Sequence, residues 1–488
     1  MTIRTFLRAR PLALALSVLV ALPAPVHASN TLPDIGTAAV DSLSLDKERE
    51  YGAAYMMQLR ASAPIIQDPV LTDYVSDLGY QLLRHADRLD HRFHFFVINN
   101  PEINAFAFFG GHVGIHTGLF LHADQESQLA SVLAHEIAHV TQRHLARMIA
   151  EQERNTPLTV AGVLGSILLA VAAPGAGMAG MAGMSATMAA SQQSSINFTR
   201  LHEQEADRLG MRMLTAAGFD AWGMPDFFTK MAAQYRFASK PPQMLLTHPL
   251  TESRITDSRN RAADFARQPP HDEPLFQLAR ARVVVRYGGK KAEELVKRLS
   301  EQQARGERPF GSATPYALAL ALTDAKRYEE AKALLLPMLK TQPDNLFYLD
   351  TLSDIATGSR DYDLAQQLLE EAARLRPHNN VITINLANLL ITRGQHQPAL
   401  TLLERYQQER EVDDLVLGML ETCYAKLNQE PRRQQIRAER LGLVGNFPQA
   451  IEALQTAHSL YGDNAVEQLR IEARILQFKE QEQWLRNL

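Results

Sequence analysis

From Lys47 to about Arg88, apolar residues recur at three- and four-residue spacing, which predicts helices with one buried face. The period then changes. Phe-His-Phe-Phe-Val-Ile-Asn over residues 93–99 predicts a strand, and His112 to His116, after Asn104-Ala105-Phe106-Ala107 and Gly110-Gly111, predicts a second. Leu129, Val132, Leu133, Ile137 and Val140 restore the helical period, with Asp124 as the expected N-cap. A small sheet against helices implies an α+β domain. Past a polar, proline-bearing stretch at residues 267–273, the pattern becomes a repeat. Pro309, Pro343 and Pro377 stand 34 residues apart; so do Leu318, Leu352, Leu386 and Leu420, then Tyr328, Tyr362 and His396, then Ala331, Ala365 and Ala399. That period, with proline closing the unit, is the tetratricopeptide signature of paired helices. The consensus is incomplete: Gly394 does not recur in phase, and Asn446-Phe447-Pro448-Gln449-Ala450 resets the register, with Ala450 falling 51 residues after Ala399. The reading is an α+β domain over residues 29–267 followed by an all-α solenoid over residues 275–488.

Length agrees with two domains, since 488 residues exceed what one hydrophobic core organises. The first 28 residues are read as a cleaved export signal. Arg4, Arg8 and Arg10 precede a short apolar run, and Val26-His27-Ala28 fits the cleavage pattern. Losing those arginines takes the net charge from −4 to −7, and with no basic stripe the chain offers no general attraction to nucleic acid. Cys423 stands alone, so disulfides do not hold this fold; it is read as a buried apolar side chain. Between Asn155 and Thr199 no residue is charged, and Met178, Met181, Met184 and Met188 punctuate the stretch. It fits either a core helix with a loop over the active site or a surface touching membrane or apolar substrate.

The candidate chemistry lies in His135-Glu136-Ile137-Ala138-His139, inside the predicted helix. Residues four apart share a helical face, so both imidazoles reach one metal ion, while Glu136, turned by about 100°, faces the nucleophilic water as general base. A third ligand decides whether the motif is functional. Gln142 and Leu145 stand where the metzincin pattern needs glycine and histidine, so that class is excluded. A glutamate from a later helix completes a His₂Glu site with one open position, and Glu203-Gln204-Glu205-Ala206-Asp207 offers it: Glu203 as ligand, Asp207 as the acceptor orienting a ligand histidine. His144, His112 and His116 have no such companions and are read as structural.

His135-Glu136-x-x-His139 followed by Glu203-x-x-Ala206-Asp207 resembles the gluzincin peptidases that include the prenyl-protein endoproteases and a bacterial heat-shock membrane protease. Asn104-Ala105-Phe106-Ala107, Gly118-Leu119-Phe120 and Thr247-His248-Pro249-x-x-x-x-Arg254 resemble that family too. With the signal and the terminal repeats, the likeness narrows to its periplasmic, repeat-bearing branch. The resemblance implies a zincin-like fold, one zinc ion on His135, His139 and Glu203, Glu136 as catalytic base, and quality control of misassembled outer-membrane β-barrel proteins alongside the barrel-assembly machinery. It also raises His248 to an active-site residue, either occupying the open metal position or stabilising the oxyanion. An extended substrate is expected to add to the sheet edge near Ala105–Phe108. The rival reading is an assembly chaperone or adaptor, with a silent metal site and a working solenoid face. A membrane-embedded peptidase is disfavoured by the lack of several 20-residue apolar spans.

Overall fold

The computed structural model describes residues 43–155, 192–235, 242–269, 272–411 and 413–486. The signal at 1–28, and residues 156–191 of the charge-free segment, lie outside the described residues. The early helical pattern resolves into α1 (Leu45–Ser62) and α2 (Pro69–Leu83). Pro64 and Pro69 bracket the break, as proline disfavours helix in the preceding residue. The sheet has three strands: β1 (His94–Ile98), β2 (Ala105–Phe108) and β3 (His112–His116), in the order β1-β3-β2. β3 is parallel to β1 and antiparallel to β2, so β2 forms one edge. Gly110 and Gly111, at φ 77° and 83°, turn the chain between β2 and β3; a Cβ on Gly111 would lie 2.3 Å from the Arg92 carbonyl oxygen.

After α3 (Thr117–His122) comes the motif helix α4 (Glu126–Thr141), which packs against β2. Its N-cap is Gln125 rather than Asp124. Asp124 instead accepts from Lys230 Nζ at 2.7 Å, and the first N–H of α4 is satisfied from far along the chain, Glu126 N donating to Glu273 Oε2 at 2.6 Å. α5 (His144–Asn155), α6 (Gln192–Ala216), α7 (Gly223–Tyr235), α8 (Gln243–Thr247) and α9 (Glu252–Ala262) follow. α6 lies tightly along α4 because Gly210 has no side chain; a Cβ there would sit 3.1 Å from the His135 nitrogen. That close approach carries Glu203 and Asp207 to the motif.

α10 (Pro274–Arg282) and α11 (Ala292–Ala304) lead into the repeats. These are α12 (Thr314–Asp324) with α13 (Tyr328–Thr341), α14 (Leu346–Ser359) with α15 (Tyr362–Leu375), α16 (Asn380–Thr392) with α17 (His396–Glu409), α18 (Asp414–Lys426) with α19 (Glu430–Leu443), and α20 (Phe447–Leu460) with α21 (Ala465–Arg486). The leucine and alanine columns are buried throughout, while Tyr328, Tyr362 and His396 each open the second helix of a pair. The turn within each pair is also periodic. Lys326, Arg360, Gly394 and Asn428, 34 residues apart, are all left-handed, at φ 61°, 63°, 76° and 55°. The residue after three of them bonds back across six residues, as Gln395 N does to Leu390 O at 2.8 Å, which satisfies helix-end carbonyls. Gly445 (φ 71°) makes the same turn seventeen residues after Asn428. α19 therefore closes one pair and opens the next, and this half-repeat step accounts for the register reset.

A buried ionic joint links the solenoid to α2. Asp68 caps α2 through Leu71 N (3.2 Å) and accepts from Arg282 Nε (2.6 Å), whose other arm lies 2.6 Å from Asp350 of α14. Tyr74 of α2 meets Phe347 edge-on, and Met57 of α1 packs on Leu441 and Leu485 at the far end of the solenoid. α14 and α16 both pack on α2, and one hydrophobic core runs without a break from Ile66 to Ile382. Among the described residues, no helix is long and apolar enough to cross a membrane.

Candidate metal centre

The structure brings His135, His139, Glu203 and His248 together, each offering one donor atom to a common point. His135 Nε2 lies 3.0 Å from His139 Nε2, 3.3 Å from His248 Nδ1 and 3.3 Å from Glu203 Oε2. Glu203 Oε1 lies 3.0 Å from His248 Nδ1 and 3.4 Å from His139 Nε2. A tetrahedral zinc with arms of about 2.0–2.1 Å has edges of about 3.3–3.4 Å, so these separations match its ligand shell. The donors, three imidazoles and a carboxylate, are also those zinc prefers. The residues fit the group.

Glu136 stands apart from this set. Its side chain is 1% exposed, its Oε1 has no hydrogen-bond partner, and the nearest ionisable group is His248 Nε2 at 3.5 Å. A buried, unpartnered carboxylate oxygen is costly to maintain unless water or substrate completes it. Its place beside the donors, without joining them, is the one the helical turn predicts for a base.

Asp207 supports the site as the spacing predicts, with Oδ1 3.0 Å from His135 Nδ1. Sequence reasoning did not foresee its partner. Arg254, 4% exposed, grips Asp207 through Nε and Nη2, both at 2.7 Å, reaches Glu203 Oε2 through Nη1 at 2.8 Å, and donates to the Pro249 carbonyl at 3.0 Å. One guanidinium thus fixes the carboxylate ligand, the acceptor behind His135 and the loop carrying His248. Burial alone would raise Glu203, but His248, His135 and His139 hold it well below the usual carboxylate range. Burial would likewise lower His135, yet Asp207 and Glu203 outweigh it and raise the ring to about 10. His139 is driven well below its ordinary value by burial and by its imidazole neighbours.

Residues 69–262 match the model of peptidase family M48, and residues 356–422 match a tetratricopeptide-repeat model. The chain is 44% identical to the beta-barrel assembly-enhancing protease of Escherichia coli K12 over 458 residues, covering 94% of this chain and 93% of that one. The chain belongs to this protease family. A putative beta-barrel assembly-enhancing protease of Vibrio cholerae is also 44% identical, over 91% of each chain. The mitochondrial metalloendopeptidase OMA1 of Schizosaccharomyces pombe is 29% identical over 38% of this chain and 51% of its own. As a member of the beta-barrel assembly-enhancing protease family, the chain is a metalloendopeptidase with a repeat region, and the donor cluster is compatible with its metal site.

One sequence reading needs correction within this family frame. His144, taken as structural, has its Nδ1 3.0 Å from His139 Nδ1. On a continuous helix the two residues would diverge by about 140°. The helix instead ends at Gln142, and Arg143, left-handed at φ 52°, folds His144 back. That break leaves no trace in the hydrophobic pattern. Arg254, by contrast, already stood in the Thr247-His248-Pro249-x-x-x-x-Arg254 motif, although its partners were not legible.

Proposed function

We propose that this chain is a periplasmic zinc endopeptidase, exported by a signal cleaved after Ala28, that degrades misassembled outer-membrane β-barrel proteins and assists their assembly. The observation that carries the chemistry is the near-tetrahedral spacing of two imidazoles, one carboxylate and His248 beside an unpartnered Glu136. The client class is supported by the printed name of the relatives at 44% identity. In this reading residues 29–267 form the peptidase domain and residues 275–488 recruit clients or the barrel-assembly machinery.

His135, His139 and Glu203 hold one zinc ion. When bound, zinc polarises the attacking water and the peptide carbonyl. Glu136 takes the proton from that water and delivers it to the leaving amine. Asp207 accepts from His135 Nδ1–H, keeping Nε2 free to donate its lone pair, and Arg254 holds both carboxylates in place. The client lies extended along β2, where pairing by main chain suits unfolded segments of any sequence. The test uses the mature chain and an unfolded outer-membrane barrel protein. Cleavage stops on chelation and returns with one zinc per chain; cleavage that survives full metal removal would sink the reading.

His248 Nδ1 occupies the corner of the donor set where a water or carbonyl must enter, so it holds the resting enzyme latent. His248→Ala is expected to raise peptide turnover several-fold. A fall would instead assign His248 to oxyanion stabilisation, and no change would leave it outside the chemistry.

A further inference from the structure

We infer that His144, Glu205 and Arg147 form a relay that fixes the tautomer and orientation of the ligand His139. The inference rests on reading His139 as a metal ligand. His139 Nε2 faces the other donors, so to bind metal it must carry its proton on Nδ1. That Nδ1 lies 3.0 Å from His144 Nδ1, and only one arrangement of protons satisfies the pair. His139 Nδ1–H donates to the lone pair on His144 Nδ1, and His144 then bears its own proton on Nε2. Its Nε2 lies 3.2 Å from Glu205 Oε2, which accepts it. Arg147 Nη1 donates to the same oxygen at 2.9 Å and keeps Glu205 anionic. Each link thus sets the next, from guanidinium to carboxylate to imidazole to ligand.

The surroundings hold the relay rigid. His144 is 3% exposed and stacks on His202 with ring centroids 4.2 Å apart. The left-handed Arg143 that turns His144 inward is tied down at both ends, donating from Nε to Glu48 Oε1 at 2.8 Å and from Nη2 to the Leu43 carbonyl at 2.5 Å. The two ligand histidines are thereby supported in parallel. His135 leans on a carboxylate held by arginine, namely Asp207 and Arg254. His139 leans on Glu205 and Arg147, with His144 inserted because Glu205 does not reach its ring directly. Glu203 and Glu205, two apart on α6, consequently face different tasks: one meets the donors and the other meets the relay.

The test measures zinc affinity by competition with a chromophoric chelator, together with kcat and KM on a peptide. His144→Phe keeps a stackable ring but removes the acceptor, and its zinc Kd should rise roughly 10–100-fold with KM unchanged. His144→Gln, whose amide both accepts and donates, should recover most of that loss, which a purely packing role would not produce. Glu205→Ala should weaken zinc by about tenfold, and it reads the relay independently if His144→Phe fails to fold by its metal-free unfolding midpoint. Wild-type zinc affinity in a folded His144→Phe or in Glu205→Ala overturns the relay. His139→Ala separates the two readings: it must abolish zinc binding, and if zinc stays, the ligand assignment falls and the relay with it.

Discussion

Glu136→Gln should abolish peptide hydrolysis, lowering kcat by roughly 10³-fold or more while zinc content and fold stay as in the parent. The substitution keeps the size of the side chain but removes its basicity, and a positioned general base contributes about 10²–10⁴. Zinc content is expected to hold because Glu136 lies outside the donor set, with His248 at 3.5 Å as its nearest ionisable neighbour. Binding of an unfolded client should persist, since the repeats and β2 are untouched. The assay pairs single-turnover cleavage with metal analysis and client pull-down. Turnover within tenfold of wild type would remove Glu136 from the mechanism. Undiminished rescue of barrel assembly by the inactive variant would transfer the biological role to the adaptor reading.

Arg254→Ala should be the most destabilising change at the site. Glu203 and Asp207 are each about 5% exposed or less, and Arg254 contacts three of their four oxygens at 2.7–2.8 Å. Removing one partner of a buried ionic cluster leaves the others uncompensated and costs about 3–5 kcal/mol. Burial by itself would strip the charge from Arg254, so its protonation depends on the same two carboxylates. The loss should therefore run both ways. Chemical denaturation of the metal-free protein should show a lower midpoint with an unchanged slope, and zinc affinity should fall with it. Arg254→Lys retains the charge but cannot form the two-armed grip, so it should recover only part of the stability. A parental midpoint in Arg254→Ala would mean that other groups neutralise Glu203 and Asp207.

Much of the site was legible because its chemistry follows local periods. The four-residue spacing of His135 and His139 places both imidazoles on one face of α4, and the same spacing sets Glu203 beside Asp207 on α6. The solenoid was legible for the same reason, its leucine and alanine columns being buried at one interval. Features resting on distant pairing were not. The carboxylate that caps α4 comes from Glu273, and the lock on α2 joins Asp68 to Arg282 and Asp350, contacts that no window of sequence contains. The left-handed column escaped notice because glycine marks only one of its four positions. Lys326, Arg360 and Asn428 adopt the same backbone at a cost of about 1–2 kcal/mol each, a cost their residue types do not advertise. His144 was misread through the same blind spot, since a left-handed Arg143 gave no sign of the fold-back.

The stretch that reads as a linker has little slack. Glu273 is bolted to the first turn of the motif helix, and α2 is wedged between the sheet and the repeats, touching β1, α4, α14 and α16 at once. The repeats are therefore a handle welded to the blade rather than a rope tied to it. Force or strain arriving at α14 or α16 passes through two rigid helices to the residues flanking His135, with no joint in between to absorb it.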